Sequence, residues 1–319
     1  MAFYAVLALA FLSAPPQAVE APSQPPSLET QIEALFAPGR DLLDVKLTVD
    51  RMVEPSADPD EGRKAVDALA AELLPMAEGI KTSHGKLQVL RRFLYRSGPW
   101  NGYRPFSYDM TDTLGKNPVN KLLTHYVRTR LGNCVTMPIL AMILGRRMGL
   151  KMTLAAAPFH IFVKYTDDDG KLWNLEATSG LGFTRDLWYR KELPMTDQAL
   201  AKGIYLRPLS EEENAALMAT FLIEHEMRAK QPENAIAAAG TILRHNPRDA
   251  NLYLWRGSAY ALILRRDVVA RFPDPGSLPP EMRAYADALY YQNQVSFAQA
   301  EALGWTEQDG IKPGNGSNE

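Results

Sequence analysis

"RLGNCVTMPILAMILG", residues 130–145, contains Cys134, the one cysteine in a chain of 319 residues. Gly132 and Asn133 precede it, and the apolar residues behind it recur at helical spacing. Asn is a favoured N-cap, so the spacing predicts a helix capped by Asn133 with Cys134 in its first turn. Unpaired N–H groups and the helix dipole favour an anion at that place, and the thiolate is the nucleophilic form of cysteine. Free cysteines are also among the most buried side chains. Cys134 therefore reads in two ways, as a nucleophile at a helix start or as a small core hydrophobe.

The second decisive stretch is a pair of strands. "FHIFVKY" (159–165) and "KLWNLEAT" (171–178) have strand composition and flank the turn "DDDG" (167–170). A three-residue loop with Gly170 left-handed sets Asp167 opposite Lys171, His160 opposite Thr178 and Glu176 opposite Phe162. His160 and Glu176 then lie diagonally on one sheet face. A two-residue turn at Asp169 and Gly170 shifts the register by one and sends Glu176 to the other face. With the longer loop, Cys134, His160 and Glu176 form a nucleophile, a base and a group that orients the base, the logic of acyl-transfer sites. Asn174 has the same parity as Glu176 and is the alternative orienter.

The remaining sequence bounds the reading. At 46% hydrophobic residues the chain can bury one good core and a second, smaller one. The formal net charge is −2, with no basic stripe interleaved with aromatics, which argues against a nucleic-acid partner. One cysteine excludes an internal disulfide and a cysteine zinc cage. His84, His125, His160, His225 and His245 never pair at metal-ligand spacing, so no metal and no cofactor are expected.

Residues 1–21 carry a short apolar run that suits a signal peptide and is too brief to span a bilayer. The alternative is an N-terminal helix in a cytoplasmic protein. A Pro-rich linker (22–35) and an N-terminal helical segment (36–80) follow. The aromatic loop "SGPWNGYRPFSYDMTDTLGKN" (97–117) offers Trp100 and Tyr108 as a substrate wall. Asn133 and Tyr126 are further candidates for the wall or for binding an oxyanion. From 208 to 305 the pattern is helical. "ENAIAAAGTILRHNPRDANLYLWRGSAYALI" (233–263) is similar to a tetratricopeptide repeat, with Pro247, Gly257 and Tyr260 in the matching places. The tail, 306–319, is polar and expected to be disordered. No integral membrane span is expected.

At these motifs the sequence resembles the transglutaminase-like superfamily, of papain-like cysteine fold. "GNC" before an apolar helix resembles its nucleophile motif, "FHIFVKY" its histidine strand, and "WNLEAT" its Trp-x-x-x-Asp-x-Thr strand, with one residue fewer between the Trp and the acid. From about 41 to 305 the chain is similar to bacterial transglutaminase-like proteins with a C-terminal tetratricopeptide-like region. "GPWNGYRPFSYD", "LGNCVTMPIL", "APFHIFVKYTDD", "NLEATSG" and "AEALGW" carry that likeness.

The resemblance implies an α+β fold: a nucleophile helix packed on an antiparallel sheet (81–207), N-terminal helices, and an all-helical layer (208–305). It implies thiol-dependent acyl transfer on a protein or peptide amide, with hydrolysis favoured over cross-linking. Glu176 stands where the family has Asp, and Phe162 where it has Trp. Many relatives lack the cysteine, so a catalytically silent scaffold that binds protein partners through the helical layer stays open, as does a regulator of cell-envelope processing.

The apolar start and the linker predict export to a periplasm or beyond. N-terminal sequencing of the protein from its native host should find a start near Pro22, whereas an intact Met1 in a cytosolic fraction would refute export.

Overall fold

The computed structural model describes residues 26–113 and 115–307. The signal-peptide expectation and most of the tail therefore lie outside the described residues. Four helices come first: α1 (Leu28–Glu33), α2 (Leu42–Val53), α3 (Pro59–Met76) and α4 (Ser83–Tyr95). Each starts on a side-chain cap, where Ser27, Asp41, Asp58 and Thr82 accept first-turn N–H groups.

The core begins with β1 (Ser107–Tyr108), α5 (Leu123–Thr129), β2 (Leu131–Gly132) and α6 (Thr136–Arg147). Residues 136–145 of α6 are all buried, as a helix apolar on every side must be. α6 packs on an antiparallel sheet of β3 (Lys151–Ala157), β4 (His160–Thr166), β5 (Leu172–Glu176) and β6 (Gly182–Thr184), in that order. The three-residue β6 has too short a pattern to be read from sequence.

The β4–β5 register is the one that the three-residue loop requires. Gly170 is left-handed, and Val163, Lys164 and Tyr165 face Leu175, Asn174 and Trp173. Asp167 holds the turn: its carboxylate accepts from the Asp169 and Lys171 N–H groups and from the Trp173 indole.

Both faces of this sheet are covered. Ile161, Val163, Tyr165 and Leu175 join the α6 core. On the other face, Ala155, Ala157 and Phe162 lie beneath Tyr189 of α7 (Asp186–Glu192), Ala199 of α8 (Asp197–Lys202) and Tyr205. Residues 206 and 209 run along β3, where the Leu206 and Leu209 N–H groups donate to Ala156 and Leu154.

Four helices follow, each packed on the one before: α9 (Glu211–Arg228), α10 (Pro232–His245), α11 (Ala250–Leu264) and α12 (Pro280–Ala302). Buried Asn214 ties α9 to the sheet. Its Oδ1 accepts from the Leu154 N–H at 3.0 Å, and its Nδ2 donates to the Thr153 hydroxyl. α2 also packs on α9, and α1 on α10. The linker expected at 22–35 is thus helical from Leu28, because Ile32 and Leu35 have a hydrophobic seat to fill. Among the described residues, no helix is long and apolar enough to cross a membrane.

Candidate active site

The position of Cys134 follows from three local features. Arg130 takes a left-handed conformation and ends α5. β2 then pairs in parallel with β1, which brings Tyr108 alongside Gly132. A side chain at Gly132 would strike the Tyr126 ring at 2.4 Å, so only glycine fits there. Asn133 next caps α6: its Oδ1 accepts from the N–H groups of Val135 (3.0 Å) and Thr136 (3.2 Å), and its carbonyl accepts from Met137. Cys134 is left half-buried in the first turn.

Phe159, left-handed in the turn between β3 and β4, places its carbonyl oxygen 3.8 Å from the Cys134 sulfur. His160 follows immediately. Its Nε2 is 2.7 Å from Oε2 of Glu176, and Cys134 lines the same cleft as the ring. With Nε2 committed to the carboxylate, Nδ1 is the nitrogen left for sulfur. Burial opposes a charge on this ring, but the facing thiol and carboxylate overcome it and raise its pKa to about 9.

Glu176 is only 7% exposed and is saturated with donors. Oε2 also accepts from the Tyr189 hydroxyl at 2.9 Å. Oε1 accepts from the Thr178 hydroxyl (2.6 Å) and N–H (3.0 Å). Burial pushes this carboxyl up, yet the bonds from His160 and Thr178 hold it below the usual carboxylate range. The extra methylene of Glu relative to Asp therefore leaves no slack, because four donors fix the carboxylate. Phe162, where the family has Trp, stacks on Tyr189 with ring centroids 4.3 Å apart.

Several sequence-based candidates fall elsewhere. Asn174 is not the orienter: it lies two residues nearer the β4–β5 turn than Glu176, opposite Lys164, and donates to Asp186 at 2.7 Å. Trp100 is not a substrate wall. Its indole donates to the Arg92 carbonyl and lies against the Arg92 guanidinium. Tyr126 is fully buried, packed edge-on against Phe106 in the core.

Tyr108 and Asn133 do line the cleft beside Cys134. The Tyr108 hydroxyl donates to the Thr113 carbonyl and so is already engaged. Asn133 differs: its Nδ2 is buried and has no partner among the described residues. From sequence, neither Tyr189, which reads as a loop anchor, nor Thr178 is a partner of Glu176. For Thr178 the signal was its place two residues after Glu176; for Tyr189 there was none, since it arrives from a separate helix.

Two cavities meet at this point. One, of about 440 Å³, opens between Tyr108, Met110, Thr178 and Leu193. The other, of about 400 Å³, runs from Cys134 beneath α9 and α11.

A raised histidine pKa carries a stability consequence of definite sign. The folded-state value of about 9 exceeds the ordinary 6.5, so the ring contributes stability that is fully present below about pH 6.5 and lost as pH rises through about 9. In urea unfolding, the advantage of wild type over His160→Gln should shrink over that window. An advantage independent of pH would show that the ring is uncharged at neutrality.

Comparison with known families matches residues 60–218 to the transglutaminase-like superfamily core, Transglut_core2. No curated protein and no solved structure matches. The matched residues contain Cys134, His160 and Glu176 and stop inside α9. The chain thus carries a transglutaminase-like superfamily domain, set among helices that extend it on both sides.

Proposed function

We propose that this protein performs thiol-dependent acyl transfer on a peptide or isopeptide amide, with water as the usual acceptor. The observation that carries the reading is the meeting in one cleft of Cys134 and His160, whose Nε2 lies 2.7 Å from Oε2 of Glu176. A thiolate facing an imidazolium is the reactive form of a cysteine nucleophile.

In this reading the Cys134 sulfur attacks the amide carbon. The His160 imidazolium gives its proton to the leaving nitrogen as the C–N bond breaks, leaving a thioester. The neutral ring then takes a proton from water, which attacks the thioester and regenerates the thiolate. Glu176 fixes the ring and stabilises its positive charge, and Tyr189 and Thr178 fix Glu176.

The transient oxyanion needs donors that are in place before it forms. Asn133 prepares one: its oxygen holds the Val135 and Thr136 N–H groups and so fixes the helix start. The Cys134 N–H, at that helix start, is the donor nearest the sulfur.

Iodoacetamide at about pH 6 tests this reading, because an unperturbed thiol of pKa ~8.5 is almost wholly protonated there. Wild-type Cys134 should alkylate at least about tenfold faster than the same cysteine in unfolded protein, a gain that His160→Ala should remove. Glu176→Gln should have a milder effect. A thiol that reacts no faster than in unfolded protein, and is indifferent to His160→Ala, would favour the scaffold reading.

A further inference from the structure

The cavity beneath the helical layer shares Gly115, Asn133, Cys134, Pro158, Phe159 and His160 with the open cleft. An extended chain laid across the Cys134 sulfur therefore reaches both. The open cleft is walled by the domain's own loops. The second cavity is closed by side chains far along the sequence: Leu217 and Phe221 from α9, Leu254 and Trp255 from α11, and Trp305.

We propose that this second cavity is a subsite for a large apolar side chain, aromatic or branched aliphatic, within two residues of the scissile carbonyl. The proposal rests on the acyl-transfer reading of Cys134 and deepens it. Three observations carry it. The cavity ends at the reacting sulfur, so its occupant belongs to the substrate. Its volume, about 400 Å³, lies in the range of small-molecule sites.

Its charges are already satisfied. The Lys121 ammonium bonds both Glu224 oxygens, at 2.7 and 2.6 Å, and Arg228 adds a third bond to that carboxylate. His160 is held by Glu176. A charged side chain would meet no counter-charge among the described residues, whereas an apolar one would meet aromatic and aliphatic walls. The helical layer is then part of the substrate site.

Dipeptidyl acyloxymethyl ketones test this. The thiolate displaces the carboxylate leaving group, forming an S–C bond as the C–O bond breaks, and the two residues beside the ketone are varied. At least one phenylalanine-containing reagent, Phe-Gly or Gly-Phe, should inactivate wild type at least about tenfold faster than Gly-Gly, the discrimination that burial of such a side chain supplies. Filling the cavity by Ser258→Trp or Leu217→Trp should bring that ratio down to about one, with folding checked by circular dichroism.

Equal rates for all reagents on wild type would overturn the subsite, as would a ratio that survives in a folded filling variant. Iodoacetamide separates the two levels. If it labels Cys134 rapidly while the peptidyl reagents show no preference, only the subsite falls. If Cys134 reacts with neither, the acyl-transfer reading falls and the subsite with it.

Discussion

The hydrogen bonding of one aspartate, Asp167, sets the geometry on which the site depends. Its carboxylate gathers two N–H groups of the turn and the Trp173 indole, and its own N–H donates to Lys171. Those bonds fix a turn in which Gly170 is left-handed and β5 runs back in even register with His160 and Glu176 on one face. A slip of one residue would move every β5 side chain to the opposite face. Glu176 would then point into the α6 core, and His160 would lose the group that charges it.

Once the register is set, the rest is a problem of burying charge. A carboxylate this enclosed is costly unless its lone pairs are satisfied. Glu176 is satisfied from three directions, by its own hairpin (His160), by the turn after its strand (Thr178) and by α7 (Tyr189). The segment holding α7 is pinned in turn by Phe162 stacking on Tyr189, and the chain beyond it by backbone bonds to β3. The second face of the sheet therefore does more than hide apolar area. It holds the carboxylate that holds the imidazole.

Much of this was legible in sequence because it depends on local rules. Cap chemistry put Asn133 at the head of α6, and turn chemistry at Asp167 and Gly170 chose the register that joins His160 to Glu176. What was not legible depends on direction and on distance along the chain. Trp100 and Tyr126 are the right residue types near the right places, but sequence does not say where an aromatic ring points, and both turn inward. Asn174 has the right parity, but Asp186 takes its amide, a partner twelve residues away that no periodicity announces. Tyr189, and the α9 and α11 side chains over the second cavity, reach the site only through tertiary packing. Leu28 to Glu33 read as linker because of the prolines before it, although its apolar spacing is helical and α10 supplies the surface it needs.

The central claim is that Cys134 forms a covalent thioester with help from His160. Brief exposure to p-nitrophenyl acetate, an acid quench and peptide mass spectrometry read it directly. The account predicts an acetyl group on the Cys134 peptide of wild type, labile at neutral pH, and sharply reduced in His160→Ala. An acetyl group found only on lysines or the N-terminus, or one on Cys134 that forms equally well without His160, would contradict it.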